Sequence, residues 1–439
     1  MLLGEKMIEL KVFAKNFRGF RRINIELASV NFIVGDNSSG KSSILHLINC
    51  IFTESFLRKY NIVGSSEKVS SSVDVLSPYI EESEVSIGFM VNGDDVGEFG
   101  GVEQIGRIVT YTASKSRKEL LIDRVVSVNN EGAMLVRRKG KSLLSKKIDS
   151  KSKMFSYTSV LKEHLSPSRG YRTLSIPIKR TYITNIAWEL AFLDFSSEEN
   201  AVGMPYFIGR SPVRINYYGP IRMDPQNIYM KPSSERKLRG EHIPHRLYQL
   251  FENYSEKMSS VKESINQFGR ESGLFDEIDV RPYKLSDPKS PIRINITKNG
   301  KVFSLDEVGY GVSQILPVIV DAILMSQEKN ALLLIQQPEL HLHPKAQAAF
   351  GELVFKLARA GLRLVIETHS DYVIDRYRYC LFKNEEGSEL TQKILFCENR
   401  SNGNSISEVL INKKGHVDSP PDSYREFFFR EQSYLFEMI

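Results

Sequence analysis

The segment from Gly35 to Ser42, GDNSSGKS, constrains this chain more than any other part of its sequence. It matches the phosphate-binding pattern GxxxxGK[ST] and has the context that this pattern requires. The apolar run Val30–Val34 before it predicts a buried strand, and Ser43–Phe52 after it has apolar residues at helical spacing. A strand that leads through a glycine-bearing loop into a helix predicts a P-loop, so we expect the chain to bind a nucleotide.

The residue types of this loop follow from the chemistry of phosphate binding. Glycines let main-chain N–H groups approach the phosphates, and the helix start adds its positive dipole end. Lys41 is predicted to reach the β- and γ-phosphates from a solvent-facing position, and the Ser42 hydroxyl to ligate Mg²⁺. The predicted phosphate-contacting residues are Gly35, Asn37, Ser38, Gly40, Lys41, Ser42 and Ser43.

Three further segments follow in an order that narrows the class of P-loop protein. Residues 306–314, DEVGYGVSQ, lie one predicted helix ahead of the apolar strand 332–335. The polar residues Gln336–Glu339 follow that strand as in a Walker B segment, and His369 follows a second apolar strand. The order P-loop, signature, Walker B and strand-end histidine is typical of ABC-type ATPases. Kinases and small GTPases have no signature segment ahead of Walker B.

These segments resemble those of OLD-type and related AAA-like ATPases, which occur in prokaryotic anti-phage systems such as Gabija, Septu and PARIS. The resemblance rests on residues 309–317, 336–344 and 367–370, with further support from 218–222 and 411–416. It implies an α/β fold, an ABC/SMC-like P-loop ATPase head with an inserted mixed α/β region. It also implies ATP and Mg²⁺ as cofactors and a homo-oligomer built from ATP-sandwich dimers.

The same resemblance implies roles for residues outside the P-loop. Gly311, Ser313 and Gln314 of one subunit would close over the γ-phosphate that Lys41 of the other subunit holds. His369 would contact the γ-phosphate as a switch histidine, and the alternative is a structural histidine that caps a strand. The sequence therefore predicts a composite site that needs two subunits.

One departure from the ABC pattern affects the expected chemistry. Gln336 and Gln337 stand where ABC enzymes have an aspartate and a glutamate. Gln336 is still predicted to contact the cofactor, but an amide can neither act as a general base nor carry charge toward Mg²⁺. Glu339 is the nearest carboxylate that could polarise the attacking water. Either Glu339 supports slow hydrolysis, which we favour, or the chain mostly binds ATP as a conformational clamp.

The spacing of the motifs suggests how the chain is divided. A length of 439 residues allows two or three domains, or one ATPase core with a large insertion. We predict that residues 1–55 and 301–439 form the ATPase head, and that residues 56–300 are an inserted region with a helical segment at 245–270. The segment after Ser370 is too short for the Toprim domain of OLD-type nucleases, so we expect any toxic activity to come from a partner.

Composition and charge add expectations about surroundings and partners. Three cysteines without metal-binding spacing fit a reducing compartment, and no apolar run is long enough to span a membrane, so we expect a cytoplasmic protein. The formal net charge of +6 is a mild basic excess. The basic stretch 137–153 allows contact with DNA, although a charge run is more often a solvated surface.

These inferences predict a sensor and regulatory ATPase of an anti-phage system, which controls a separate effector and responds to a phage-encoded trigger protein. The ATPase subunit of a PARIS-like system, with a Toprim effector, fits best. Septu-type ATPases, which work with an HNH nuclease, are close behind. The alternatives are a RecF/SMC-like DNA-repair ATPase that binds DNA and a non-hydrolysing scaffold. DNA-stimulated hydrolysis favours repair, and copurification with a small nuclease favours defence.

Overall fold

A computed structural model describes most of the chain as two compact units. The first contains residues 1–27, 37–214 and 398–405, and the second contains residues 28–36, 215–397 and 406–439. Parts of the predicted basic stretch (141 and 152–153) and of the predicted helical segment (253–255) lie outside the described residues. The described residues are 8–60, 62, 75–76, 83–93, 103–113, 120–140, 142–151, 156–173, 211–230, 239–252, 256–283, 290–384 and 390–424.

The first unit is built on antiparallel strands with three described helices. In β2, buried Ile23, Ile25 and Leu27 alternate with exposed residues, the period expected of a strand with one covered face. In pairing order the strands are β2 (Phe20–Leu27), β1 (Glu9–Phe17), β4 (Glu84–Asn92), β5 (Gln104–Ala113), β6 (Leu120–Asn129), β7 (Gly132–Lys139), β8 (Ser142–Asp149) and β9 (Arg172–Thr173). The helices are α1 (Lys41–Ile51), α2 (Glu54–Lys59) and α3 (Tyr157–Leu165).

The predicted basic stretch falls mainly on the hairpin of β7 and β8. Arg137 and Lys146 lie over the ring of Tyr171, at 4.5 and 5.7 Å from its centroid. Lys146 also pairs with Glu163 of α3 at 3.2 Å. Because successive side chains of a strand point to opposite faces, Lys147 lies on the other face from Lys146. The strands thus divide the basic residues between two faces, and DNA contact at this stretch stays a prediction.

The second unit contains the parallel strands that position the motifs. Strands β14, β15, β3 and β16 run parallel and are buried along most of their length, as expected for strands covered on both faces. In pairing order the strands are β10 (Arg214–Tyr218), β14 (Ala331–Gln336), β15 (Arg363–Glu367), β3 (Val30–Gly35), β16 (Gln392–Arg400) and β17 (Gly403–Ile411), with β18 (Val417–Asp418) beside β17. The carboxyl ends of the four parallel strands lie at one edge, so the residues after each strand come together there.

Helices cover one face of this parallel set. The predicted helical segment 245–270 is divided between two helices, and five of its apolar residues enter the core of this unit: Leu247, Leu250, Val261, Ile265 and Phe268. The helices are α4 (Ile243–Glu252), α5 (Glu256–Ser272), α6 (Tyr310–Met325), α7 (Pro344–Arg359) and α8 (Asp371–Lys383). A small antiparallel sheet adds β11 (Glu277–Pro282), β12 (Ile292–Lys298) and β13 (Lys301–Ser304).

The architecture confirms the predicted α/β class of a P-loop ATPase. Strand β3 leads through residues 36–40 into α1, as the P-loop pattern requires. The Walker B strand β14 and the strand β15 that precedes His369 lie next to each other, and β15 also pairs with β3. Of the helices in the described part of the chain, none is long and apolar enough to cross a membrane.

Candidate functional site

Two glycines of the P-loop are required by the backbone and its neighbours. Gly35 has a φ of 136°, and a Cβ added there would lie 2.0 Å from the main-chain oxygen of Cys397. Gly40 has a φ of 92°, and a Cβ there would lie 2.4 Å from the Phe20 ring and 2.6 Å from the Asn404 amide nitrogen. Side chains rarely adopt either conformation, so glycine is needed for the path of the loop as well as for phosphate binding.

Helix α1 begins directly after the loop. The main-chain N–H groups of Ser43 and Ile44 donate to the carbonyl oxygen of Gly40 at 2.9 and 3.3 Å. The first turn of α1 contains no acidic residue, so no carboxylate of that turn neutralises the positive end of the helix. A helix start of this kind attracts phosphate groups.

The predicted phosphate-contacting residues differ in exposure. Asn37 and Ser38 are exposed, and Ser42 and Ser43 are partly exposed. Lys41 is only 5% exposed, which corrects the expectation of a solvent-facing lysine. Helix α1 is buried along almost its whole length, so its first residue is covered as well.

The Walker B strand ends at Gln336, whose register partner is Glu367 at the end of β15. Gln336 is buried, and its side-chain oxygen accepts a hydrogen bond from the Tyr217 hydroxyl at 3.0 Å. Gln337 leaves the strand with a φ of 46°, and its N–H donates to the Glu367 carbonyl at 2.8 Å. The chain turns at this point, and the turn brings Glu339 to the segment that follows β15.

Glu339 is fixed by that segment through both of its carboxylate oxygens. One oxygen accepts a hydrogen bond from the Thr368 hydroxyl at 2.8 Å, and the other accepts from the main-chain N–H of His369 at 2.6 Å. Burial raises the pKa of Glu339, although these hydrogen bonds and the charge of Arg222 act in the opposite direction. The side chain of His369 is exposed. The structure therefore brings the predicted carboxylate and the predicted switch histidine together.

Arg222 supports the same turn, and the sequence analysis assigned it no role. It is 1% exposed and donates to the carbonyl oxygens of Gln336 and Gln337, at 2.7 and 3.4 Å. Burial lowers the pKa of its guanidinium to about 10, and the nearby Glu339 carboxylate opposes this shift. The resemblance of residues 218–222 was the signal in the sequence that could have found it.

The start of the signature helix α6 packs against the loop that follows the Walker B turn. A Cβ added to Gly311 would lie 2.4 Å from the main-chain oxygen of His341. The Tyr310 ring meets the His341 ring edge-on, with 5.0 Å between the centroids. Gly309 and Tyr310 are exposed, so these two residues of the helix start are accessible to another molecule.

The other predicted signature residues are buried within their own chain. Ser313 and Gln314 are 3% and 2% exposed. The Ser313 hydroxyl donates to the carbonyl of Tyr310 at 2.7 Å. The Gln314 side-chain oxygen accepts from the main-chain N–H of Arg222 at 2.9 Å, and its amide nitrogen donates to the carbonyl of Met223 at 3.2 Å. Gln314 therefore fastens α6 to the segment that carries Arg222.

Asp321 of α6 is completely buried and forms a second polar cluster. Its carboxylate accepts hydrogen bonds from Tyr218 at 2.6 Å, Asn216 at 2.7 Å, His242 at 3.0 Å and Arg246 at 2.5 Å. Burial alone would raise the pKa of Asp321, but the hydrogen bonds from His242 and Tyr218 and the charge of Arg246 hold it below the ordinary value. A single acidic residue in an apolar helical run was the sequence signal for this cluster.

The residues present fit a nucleotide with Mg²⁺. The start of α1 carries no acidic side chain in its first turn, which suits an anion, and the strand ends carry oxygen-bearing side chains at otherwise apolar positions. Oxygen is the ligand type that Mg²⁺ prefers. Lys41 and Ser42 would hold the phosphates and the cation. Bound Mg²⁺ would offset the negative charge that develops on the phosphate oxygens during hydrolysis.

Comparison with protein families identifies ATPase domains in both halves of the sequence. Residues 7–163 match the model described as "AAA ATPase domain". Residues 195–375 match the model described as "AAA domain, putative AbiEii toxin, Type IV TA system". The predicted ATPase activity is supported by both matches.

Known proteins give similarities to parts of the chain. It is 26% identical over 125 residues to the OLD nuclease of Thermus scotoductus, which covers 27% of this chain and 23% of that protein. It is 24% identical over 218 residues to the Old nuclease of Escherichia phage P2, which covers 45% of this chain and 33% of that protein. The matched segments thus span about a quarter and a third of these relatives.

Solved structures give more distant similarities. An Smc head domain bound to the C-terminal domain of ScpA, from Pyrococcus furiosus, matches with a TM-score of 0.49 and 10% identity, over 98% of this chain and 100% of that one. The SMC head domain from Thermotoga maritima matches with a TM-score of 0.38 and 13% identity, over 92% and 99%. From its P-loop geometry and its two family matches, the chain is an α/β P-loop ATPase, similar to AAA ATPase domains and, over part of its length, to OLD nucleases.

Proposed function

We propose that this ATPase is the sensor and regulatory subunit of an anti-phage defence system and controls a separate toxic effector by slow ATP hydrolysis. The observation that carries the hydrolytic part is Glu339, whose carboxylate is fixed by Thr368 and His369 at the end of the Walker B turn. The defence role is supported by the similarity to OLD nucleases and to the AbiEii-related model.

In the proposed mechanism, each predicted site residue has one task. The P-loop N–H groups and Lys41 bind the phosphates, and Ser42 ligates Mg²⁺. Glu339 accepts a hydrogen bond from the attacking water, and the side chain of His369 contacts the γ-phosphate. Gln337 is an amide where ABC enzymes have the catalytic glutamate, so Glu339, two residues further on, takes the role of the base, and we infer that hydrolysis is slow.

The partners follow from the same proposal. ATP joins two copies of the chain in a sandwich, and the signature segment of each copy completes the site of the other. The effector is a Toprim nuclease in the manner of PARIS, or an HNH nuclease in the manner of Septu. A phage-encoded protein is the proposed trigger. Residues 1–55 and 301–439 are proposed to form the ATPase head around the inserted region 56–300.

Lys41→Ala tests ATP binding and the defence role in one experiment. Cells that carry this chain and the product of the adjacent gene are challenged with phage, and nucleotide affinity of the purified chain is measured by calorimetry. We expect Lys41→Ala to lose both ATP binding and protection, with the far-UV circular dichroism of the wild type. Full protection by a variant that no longer binds ATP would contradict the proposal.

The effect of DNA on the rate of ATP hydrolysis distinguishes the proposed defence function from the alternative function in DNA repair. The purified chain alone is expected to hydrolyse ATP at the same slow rate with and without linear or gapped DNA, and to leave the DNA intact. Hydrolysis that rises tenfold or more with gapped DNA, together with DNA-damage sensitivity of cells that lack the gene, would favour the RecF/SMC-like function.

A further inference from the structure

Three polar side chains form a row across neighbouring strands of the second unit, close to their carboxyl ends. They are Tyr217 of β10, Gln336 of β14 and Glu367 of β15. The Tyr217 hydroxyl donates to the Gln336 side-chain oxygen at 3.0 Å, which fixes the direction of both side chains. Gln336 and Glu367 are 4% and 2% exposed, so the row is almost fully covered.

The burial of the neighbouring residues shows that the three side chains of the row lie on the same face of the sheet. Ile335 and Ile366, which precede Gln336 and Glu367, enter the apolar core beneath α6, α7 and α8. Since side chains alternate along a strand, Gln336 and Glu367 lie together on the other face. Tyr218 enters the same apolar core, which places Tyr217 on the face of the row.

The register brings Glu367 directly beside two functional strands. Glu367 is the Cα partner of Gln336 on one side and of Ile33 in β3 on the other. The N–H of Thr368 continues this pairing by donating to the carbonyl of Ile33 at 3.1 Å. Gly35, two residues after Ile33, is the first residue of the P-loop. Glu367 is therefore the carboxylate at the strand edge between the Walker B strand and the P-loop strand.

Charge at this edge distinguishes Glu367 from its neighbours. The Mg²⁺ of a P-loop site is normally held in part by an acidic residue at the end of the Walker B strand. Gln336 supplies an amide oxygen without charge, and both oxygens of Glu339 already accept hydrogen bonds from Thr368 and His369. We propose that Glu367 supplies, from the adjacent strand, the negative charge toward nucleotide-bound Mg²⁺ that Gln336 lacks. This inference rests on the proposed binding of ATP at the P-loop.

The test measures ATP affinity with Mg²⁺ and with EDTA, and it does not depend on turnover. The ratio of the two affinities reports how far the cation strengthens nucleotide binding. Loss of one group that ligates or orients a metal typically lowers metal affinity about 10–100-fold. We expect Glu367→Gln to reduce the ratio by about tenfold. Its ATP affinity in EDTA should stay close to that of the wild type. An unchanged ratio would overturn the assignment of Glu367.

A charge exchange provides the matched control. In Gln336→Glu with Glu367→Gln, the carboxylate moves to the usual Walker B position, and we expect the Mg²⁺-dependent ratio to return to that of the wild type. Gln336→Glu alone carries both carboxylates, and its ratio should exceed that of the double variant about tenfold. Equal ratios in these two variants would show that Glu367 contributes nothing, even if Glu367→Gln alone fails to fold.

Two outcomes separate the inference from the proposed function. If the wild type binds no ATP under either condition, the proposed function itself is wrong. If the wild type binds ATP, Lys41→Ala does not, and Glu367→Gln keeps the full Mg²⁺ effect, the proposed function stands and the inference about Glu367 is wrong.

Discussion

The environment of Glu339 predicts how hydrolysis depends on pH. Burial raises the pKa of this carboxyl above its ordinary value, and only the ionised form can accept a proton from water. As the pH falls through this raised pKa, Glu339 becomes protonated and hydrolysis is lost. We therefore expect the acidic limb of a kcat–pH profile to lie above the ordinary pKa of a glutamate, 4.5.

Glu339→Gln removes the titrating group and serves as the control for this profile. Its kcat is expected to fall about 10²–10⁴-fold, which is the usual contribution of a general base, and its acidic limb should disappear. The ATP-bound assembly should persist longer than that of the wild type. A variant that hydrolyses ATP at the wild-type rate would place the catalytic base elsewhere.

From the contacts of Arg222 we expect that its substitution impairs catalysis without weakening nucleotide binding. Arg222→Met keeps much of the buried volume but removes the two hydrogen bonds to the Walker B turn. Each hydrogen bond to a charged group stabilises a fold by about 1.5–3 kcal/mol, so the turn should lose its fixed geometry. We expect kcat to fall at least tenfold, the size of effect that loss of one or two kcal/mol of positioning produces.

ATP affinity is the internal control for Arg222→Met, because Arg222 contacts the Walker B turn. We expect ATP affinity within threefold of the wild type. Arg222→Lys keeps the charge but loses the planar fork, and it should recover only part of the activity. If ATP affinity and kcat decline together in the methionine variant, Arg222 has a general structural role instead.

At the scale of single residues, the sequence predicted which side chains take part in the chemistry, but it predicted few of the contacts between them. It selected Glu339 and His369 for separate catalytic roles, and the structure joins the two residues by a 2.6 Å hydrogen bond from the His369 main chain. It gave no role to Arg222 or Glu367, because their neighbours are more than a hundred residues away or on another strand. Only the tertiary structure determines which of these side chains meet.

At the scale of elements, the Asp321 cluster fastens α6 to β10 and α4. Removing one partner of a buried charge pair usually costs about 3–5 kcal/mol, so Asp321→Asn should lower the free energy of unfolding by about that amount at pH 7. Because the pKa of Asp321 is lowered in the fold, its stabilising contribution is complete above the ordinary pKa of 3.8 and declines as the pH falls below it.

Urea unfolding of wild type and Asp321→Asn between pH 7 and pH 3.5 measures this contribution. The difference between the two proteins should be largest at neutral pH and shrink at the acidic end of the series. Asp279, a partly exposed aspartate on β11, offers a control, because it pairs with the exposed Arg281 and Asp279→Asn should change stability little. A difference that grows toward acidic pH would contradict the lowered pKa of Asp321.

At the scale of the whole molecule, the exposed start of α6 allows a direct test of assembly. Gly309 is exposed, no atom of the described residues lies within 4 Å of a Cβ added there, and its φ of −55° is open to any residue. Gly309→Arg should therefore fold normally, yet place a bulky cation where the signature segment is proposed to meet the partner's nucleotide. Ser313 is unsuitable for this purpose because it is buried in its own subunit.

We expect ATP to convert the wild type, but not Gly309→Arg, from monomer to dimer or a ring of dimers in light scattering. Mixed dimers of Lys41→Ala and Gly309→Arg retain one site with an intact P-loop and an intact signature, so part of the hydrolysis should return on mixing. Val302→Arg, at an exposed position of β13, is the matched control and should assemble normally. Nucleotide-dependent assembly of Gly309→Arg at the wild-type level would exclude the signature from the interface.

The sequence by itself determined the P-loop, the order of the motifs and the α/β class, because these depend on local patterns. Glycine spacing, strand-length apolar runs and helical periodicity are set within about ten to twenty neighbouring residues. The burial of Lys41, the hydrogen bonds of Arg222, the Asp321 cluster and the row of Tyr217, Gln336 and Glu367 were decided only by the tertiary structure. The row depends on which strands pair and in which register, and a one-residue shift of register would turn its side chains to the opposite face. The other three depend on how helices and loops from distant parts of the chain pack together.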